Sequence, residues 1–412
     1  MTSLLNSNLS AQTEHQIAAN AKAQRKISIL VSDLSTQGAG RWGGAVRPFL
    51  LAQALQQIGW AVELVGFTAE GEAAVTSSPE LPVKTVVSRP YPQFLYSVWS
   101  LLNCIEGEIV YAYKPKPSSF GVGLLHKFKT GKPLFLDIDD WELSWHGGDG
   151  WRYRPGLKQL ARDLLKSDGA LHNPDHPLYL QWMEGWVSQA NQVTIHTQFL
   201  QNRFGGTYVP NGKNVELFTP QQDSAAMRQR YGLADYRVLM FPGAPRPYKG
   251  VEDVLQALDL LDQPDLRLVI VGGSPYDDYD NQLMQRWGHR LIKLPKIAHQ
   301  QMPDVIAAAD VIVVPQRDVP AAQAQFPLKL TDGMAMAKPI LATRVGDIPK
   351  ILGETGYLVD PESPQQLADA LRWIFDHPEE AARKGQQARQ RCVADYSIAA
   401  MADQLSSLLV PF

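Results

Sequence analysis

The stretch 236–258, YRVLMFPGAPRPYKGVEDVLQAL, runs from an apolar strand candidate through a Pro- and Gly-rich loop into a helix. A strand that turns through such a loop straight into a helix is one unit of a parallel sheet with crossover helices. Arg246 and Lys249 stand just before the helix. Cations at that end oppose the helix dipole, so an anion held between them is the economical reading, and a diphosphate would fit. Two solvated surface cations are the plainer alternative.

The unit repeats in both directions along the chain. Downstream, the strand candidates are LRLVIVGG (266–273), LIKL (291–294), DVIVVPQ (310–316), PILAT (339–343) and GYLVD (356–360). Upstream they are ISILVSD (27–33), AVELVGF (61–67), IVYAYK (109–114), PLFLDID (133–139) and QVTIHT (192–197). Two successive series predict two doubly wound α/β domains, and the segment between them, TYVPNGKNVELFTPQQD, is rich in Pro, Asn and Gly. A chain of 412 residues is too long for one ordinary core, which agrees with that division. The expected layout is a leader over 1–25, a first Rossmann-like domain over 26–212 and a second over 213–396. A final helix over 397–412, with the stripe Ile398, Met401, Leu405 and Leu408, is expected to cross back to the first domain.

Hydrophobic residues make up 45% and charged residues 20%, which excludes wholesale disorder, and the net charge of -3 argues against a general nucleic-acid binder. Cys104 and Cys392 lie far apart with no metal-ligand spacing, so neither a disulfide framework nor a zinc site is suggested. No apolar run reaches the roughly 18 residues that a membrane span needs, and the first two dozen residues lack the apolar core of a signal peptide. A cytoplasmic protein is expected.

In open α/β sheets ligands bind beyond the carboxyl ends of the strands, so the loops there are the candidates. The first, STQGAGRWGG (35–44), offers Gly43 and Gly44 for close backbone approach to a phosphate or sugar, with Arg47 just after it. Its glycine spacing does not match the dinucleotide fingerprint. Gly272 and Gly273 end another strand and offer exposed backbone. In FPLKLTDGMAMAKP (326–339), Lys329 and Asp332 fall three residues apart on one helix face, in the poorer order for a stabilising pair. Lys329 for a phosphate and Asp332 for a sugar diol explain both residue types, with a surface ion pair as the alternative. Met334 and Met336 read as core packing. PLFLDIDDWELSW (133–145) ends in Asp137, Asp139 and Asp140 followed by Trp141, a plausible sugar-binding rim. No further ligand cluster accompanies those acids, so a metal site is not expected. Five tryptophans between Trp141 and Trp186, interleaved with Arg152, Arg154, Lys158 and Arg162, suit an acceptor groove or an interfacial membrane contact.

Together, PGAPRPYKGVEDVLQAL, LVIVGGSP, ADVIVVPQ, PLKLTDGMAMAKPILATRVGDIPKIL and TGYLVDPESPQQLADAL occur in an order that resembles the retaining glycosyltransferases of family 4. GGAVRPFLLAQALQQIGWAVELVGF and VPNGKNVELF extend the resemblance over roughly residues 27 to 410. It implies the GT-B fold, an N-terminal acceptor-binding and a C-terminal nucleotide-sugar-binding Rossmann-like domain facing across a cleft. It also implies a hexosyltransferase-type enzyme that uses a nucleoside diphosphate sugar, a saccharide or lipid-linked acceptor and no obligatory metal, in polysaccharide or glycolipid biosynthesis. By the resemblance, Gly243, Arg246, Lys249, Gly272, Gly273, Lys329, Leu330 and Asp332 would bind the donor, and Lys249, Lys329, Asp332 and Asp139 would act in catalysis. Gly43, Gly44, Arg47, Asp140 and Trp141 would lie on the acceptor side or in the phosphate loop. Ala324 falls where the family usually carries a first acid, and Asp139 where it often carries a His. A non-catalytic protein that keeps the nucleotide cleft is the other reading, and a peripheral contact with the inner face of a membrane suits a lipid-linked acceptor.

Overall fold

The computed structural model describes residues 25–38, 47–166, 168–274 and 277–412. Gly43 and Gly44 lie outside them, as does most of the expected leader. Among the described residues the strands form two sheets, parallel throughout. The first contains β1 (Lys26–Val31), β2 (Ala61–Thr68), β3 (Val83–Val87), β4 (Ile109–Tyr113), β5 (Leu134–Ile138), β6 (Gln192–Ile195) and β7 (Thr207–Tyr208), in the order β3-β2-β1-β4-β5-β6-β7. The second contains β8 (Arg237–Phe241), β9 (Leu266–Val271), β10 (Leu291–Leu294), β11 (Val311–Val314), β12 (Ile340–Thr343) and β13 (Tyr357–Val359), in the order β10-β9-β8-β11-β12-β13. Central strands such as β4 and β11 are buried on both faces, which is why they read as unbroken apolar runs.

Two strands depart from the expectation. β3 was not foreseen because it is a half-exposed edge strand with a lysine as its second residue, and β7 because it is two residues long within the segment read as a linker. Both are edges of their sheet, where burial writes the weakest pattern into sequence.

Each sheet reverses direction beside its first strand, between β1 and β4 and between β8 and β11. Loops leaving the carboxyl ends of those strand pairs diverge to opposite faces and leave a crevice between them. The last helix, Ile398–Leu409, buries Met401, Leu405 and Leu409 in the core of the first sheet against the Arg47–Gln57 helix. Each large apolar side chain so buried contributes about 1.5–3 kcal/mol. Ser397 caps this helix, its hydroxyl accepting from Ala400 N at 3.1 Å. The two passages of chain between the sheets are stitched where Lys213 N donates to Tyr396 O (2.7 Å) and Ile398 N to Lys213 O (3.0 Å).

Candidate active site

The loop after β8 is fixed by a glycine. Gly250 has φ +68°, and a Cβ there would sit 1.8 Å from Pro315 O at the end of β11. Only glycine lets the loop close onto β11 at that point. The closure brings the two sides of the switch point together: Lys249 arrives from the β8 loop, and Lys329 from the Leu328–Ala335 helix that follows β11. Lys249 Nζ donates to Ala244 O at 3.2 Å, and Lys329 Nζ lies 4.7 Å from the centre of the Phe241 ring. Among the described residues neither lysine has a carboxylate partner within ion-pair distance, whereas Arg246 reaches Asp277 at 3.2 Å.

Burial first, and then the nearby charges of Lys329 and Arg246, push the Lys249 ammonium well below its ordinary range. Burial pushes Lys329 down to about 8 against the opposing pull of Asp332. Half-buried cations that crowd one another are stabilised by a ligand that brings negative charge.

Asp332 does not form the alternative surface ion pair with Lys329. Its Oδ1 accepts from Lys213, on the first passage between the sheets, and Lys213 Nζ also lies 3.4 Å from the centre of the Phe218 ring. Asp332 Oδ2 accepts no hydrogen bond from the described residues, so one oxygen remains for a hydroxyl. The Leu330 side chain is fully buried in the core and its N–H is bonded to Pro327 O at 2.8 Å. Leu330 therefore offers the cleft no free polar group. Gly243, with φ +145°, has open space where a Cβ would be, and Gly272 has φ +78°. Gly273 is pressed against Asp280, whose Oδ2 would be 2.6 Å from a Cβ there.

The facing wall comes from the ends of β4 and β5. Lys114, just after β4, adopts φ +72°, a left-handed conformation that costs a non-glycine residue on the order of 1–3 kcal/mol. It is held there by its N–H to Asp137 O (2.8 Å) and by an ion pair with Glu142. Lys116 Nζ pairs with Glu142 at 2.9 Å, and the two lysines hold this carboxyl down at about 2 in spite of its burial. Asp139 Oδ2 accepts from the Tyr113 hydroxyl, while Oδ1 lies 3.5 Å from Lys114 Nζ. Asp140 accepts from Trp141 N and from Trp145 Nε1, both at 2.9 Å. Burial, with Glu142 and Asp139 beside it, raises Asp140 to about 6 against the pull of Lys114. The Trp145 ring lies 6.0 Å from that of Tyr248, and this contact joins the two walls.

Two residues assigned by sequence to the acceptor side point inward instead. Arg47 is buried, donating from Nε and Nη2 to both oxygens of Asp137 (2.8–3.2 Å) and from Nη1 to Asn211 Oδ1 at 3.0 Å. Thr194 Oγ1 completes the shell of Asp137 at 2.7 Å. The Trp141 ring is buried beneath the Arg203 guanidinium, 3.9 Å away, and its Nε1 donates to Glu184 at 3.1 Å. Both stand behind the wall and hold its shape.

Sequence reasoning passed over several residues that build the walls and their seam. His196 Nδ1 is 3.2 Å from Asn211 Nδ2 and its Nε2 is 3.3 Å from Ala324 O, an arrangement that suits the neutral ring with the proton on Nε2. Burial and the charge of Arg47 push His196 down to about 4. Ala324 is fully buried among first-sheet core residues although it comes from the second half. Gln198 N donates to both oxygens of Asp347 at 3.1 Å, a second tie between the halves. Lys213 and Lys114 carried a usable signal, since each is a cation that lies within a quoted strand or motif; His196 and Tyr248 carried none that a single sequence reveals.

A family described as "Glycosyl transferases group 1" matches residues 236–377, the portion that holds Lys249, Lys329 and Asp332. The chain is 33% identical to the D-inositol 3-phosphate glycosyltransferase of Corynebacterium efficiens over 420 aligned positions, covering 93% of each protein. It shares its fold with Anabaena HepE, solved with UDP and glucose, at a TM-score of 0.70 and 20% identity over 94% of this chain and all of the other. Sucrose-phosphate synthase from Thermosynechococcus elongatus is similar at a TM-score of 0.69 and 18% identity, over 94% of this chain and 98% of the other. Two parallel sheets, a family match over the side of the cleft that holds Lys249 and Lys329, and a near full-length relative agree: the chain belongs to the group 1, family 4-type glycosyltransferases and has the GT-B fold.

Proposed function

We propose that the protein moves a sugar from a nucleoside diphosphate sugar to a hydroxyl of a saccharide or lipid-linked acceptor, with retention of anomeric configuration. The observation that carries this reading is the convergence of Lys249 and Lys329, without carboxylate partners, from the two sides of the switch point. A diphosphate seated between them, with Arg246 beside it, receives more stabilisation as the glycosidic bond breaks and charge moves onto the leaving oxygen. These fixed cations do the work that a metal ion does elsewhere, so no obligatory metal is proposed. Asp332 Oδ2 accepts from the ribose diol. Asp140 and Asp139 face the acceptor; its hydroxyl is oriented by Asp140 and gives its proton to the departing phosphate oxygen.

Support for the donor comes from a structural relative solved with UDP and glucose, and support for a phosphorylated polyol acceptor from the inositol-phosphate relative. The reaction is placed in the cytoplasm, in polysaccharide or glycolipid assembly, with peripheral contact at the inner face of the membrane when the acceptor is lipid-linked. A panel of nucleotide sugars, offered with candidate acceptors in the presence of EDTA, tests the reading by release of nucleoside diphosphate and by NMR of the product anomer. Release that needs acceptor, survives EDTA and yields the donor's anomer is expected. An inverted product would remove retention, and abolition by EDTA would remove the metal-free step.

A further inference from the structure

One helix in the first half is mounted inside out. The Leu157–Leu165 helix, LKQLARDLL, carries its apolar residues at 157, 160, 161, 164 and 165, the spacing of a single helical face. In a globular protein that face is the one buried. Here Leu157 is 89% exposed, Leu164 53% and Leu165 82%, while the one buried residue of the helix is Asp163. The inversion is anchored. Asp163 accepts from the Tyr153 hydroxyl at 2.6 Å and from Gln159 Nε2 at 2.7 Å, and Gly169 is packed so closely that a Cβ would sit 2.4 Å from Asp163 O. Tyr153 in turn packs edge-on against His176, 5.3 Å between ring centres, and His176 against Tyr179. The polar side is thus locked to an aromatic layer, and Leu157, Leu164 and Leu165 are held outward.

An exposed leucine face costs stability unless something covers it. Charge identifies the occupant. Between 152 and 168 lie five cations, Arg152, Arg154, Lys158, Arg162 and Lys166, against Asp163, which is turned inward, and Asp168. A second copy docking through the same face would bring like charges together, whereas an anionic bilayer takes both the leucines and the cations. At nine residues this helix is too short to cross a bilayer, so the contact is one that lies on the surface. We infer that the Leu157–Leu165 helix inserts its leucine face into an anionic lipid surface. It belongs to the same crossover, between β5 and β6, that carries Asp140 and Trp145, so docking there would bring a lipid-borne acceptor toward the acceptor wall.

The test uses the full chain and vesicles of phosphatidylcholine with and without phosphatidylglycerol, and no donor. Binding is therefore read whether or not the proposed transfer is correct. Cosedimentation with the anionic vesicles only, weakening as salt rises, is expected. The triple variant Leu157→Ser/Leu164→Ser/Leu165→Ser should lose at least about tenfold in vesicle binding. Because these side chains are in solvent, its melting temperature and its turnover with a water-soluble acceptor should match the parent. Lys158→Glu/Arg162→Glu should weaken binding with a smaller salt dependence. Failure of the parent to bind vesicles, or binding by the triple variant as tight as the parent's, would overturn the inference. So would a dimer in sedimentation that the triple variant dissolves, which would make the face an interface between copies.

Discussion

The two walls of the cleft handle charge in opposite ways. On the acceptor side almost every charge is already matched within the protein: Arg47 with Asp137, and Lys114 and Lys116 with Glu142. On the donor side Lys249 and Lys329 face the same opening without such partners, and their affinity for protons is depressed. A matched wall spends its charges on shape, and an unmatched one keeps them for a ligand. The same residue types therefore serve different ends, and a substitution should separate them: stability should suffer on one wall and donor chemistry on the other.

The largest effect is expected from Arg47→Ala. Removing one member of a buried pair leaves the other charge uncompensated, at a cost of about 3–5 kcal/mol. Asp137 would lose both guanidinium contacts while remaining fully buried. Denaturant unfolding of the variant should show that loss, and the double variant Arg47→Ala/Asp137→Ala should recover part of it. An Arg47→Ala protein as stable as the parent would mean that the first wall is not held by matched charge.

Lys249→Ala should do the reverse. Withdrawing one cation that stabilises a developing charge lowers turnover by roughly 10²–10³-fold. Its removal relieves repulsion with Lys329 and Arg246, so the melting temperature without ligand should stay level or rise. Near-normal turnover with every donor tested would remove Lys249 from the site, and a large fall in melting temperature would make it a structural lysine.

The same contrast explains what could be read from sequence. Central parallel strands announce themselves because both faces are buried, and β1, β8, β9 and β11 were legible as apolar runs. β3 and β7 were not, since edge position and short length leave no such run. On the donor wall the residue types stood out because cations before a helix are unusual, yet local spacing gave no hint of the partner of Asp332. A window of three residues cannot see Lys213, which lies 119 positions away and meets Asp332 only through the passage between sheets. On the acceptor wall, Trp141 looked like a rim residue because an aromatic side chain beside acids at a strand end resembles a sugar site, and Arg47 was placed at the phosphate loop by its position alone. Whether such a side chain turns in or out depends on partners such as Glu184, Arg203 and Asp137, which only the fold brings near.

The smallest effect is the most diagnostic, because one group should act with opposite sign on two measurements. Lys329 is at about 8 in the folded protein, below the ordinary lysine value of about 10.4 that it regains on unfolding. Between those two values the unfolded chain holds more protons than the folded one, so the contribution of Lys329 to stability rises with pH through that window. A bound diphosphate favours the protonated amine, so donor affinity should fall above pH 8, by about tenfold at pH 9, with uptake of a proton on binding. Calorimetry in buffers of different ionisation enthalpy reads the proton, and unfolding of the parent against Lys329→Met reads the stability difference. If donor affinity stayed flat from pH 7 to 9 while the stability difference rose, Lys329 would be a desolvated lysine beside the cleft and not a ligand of the phosphate.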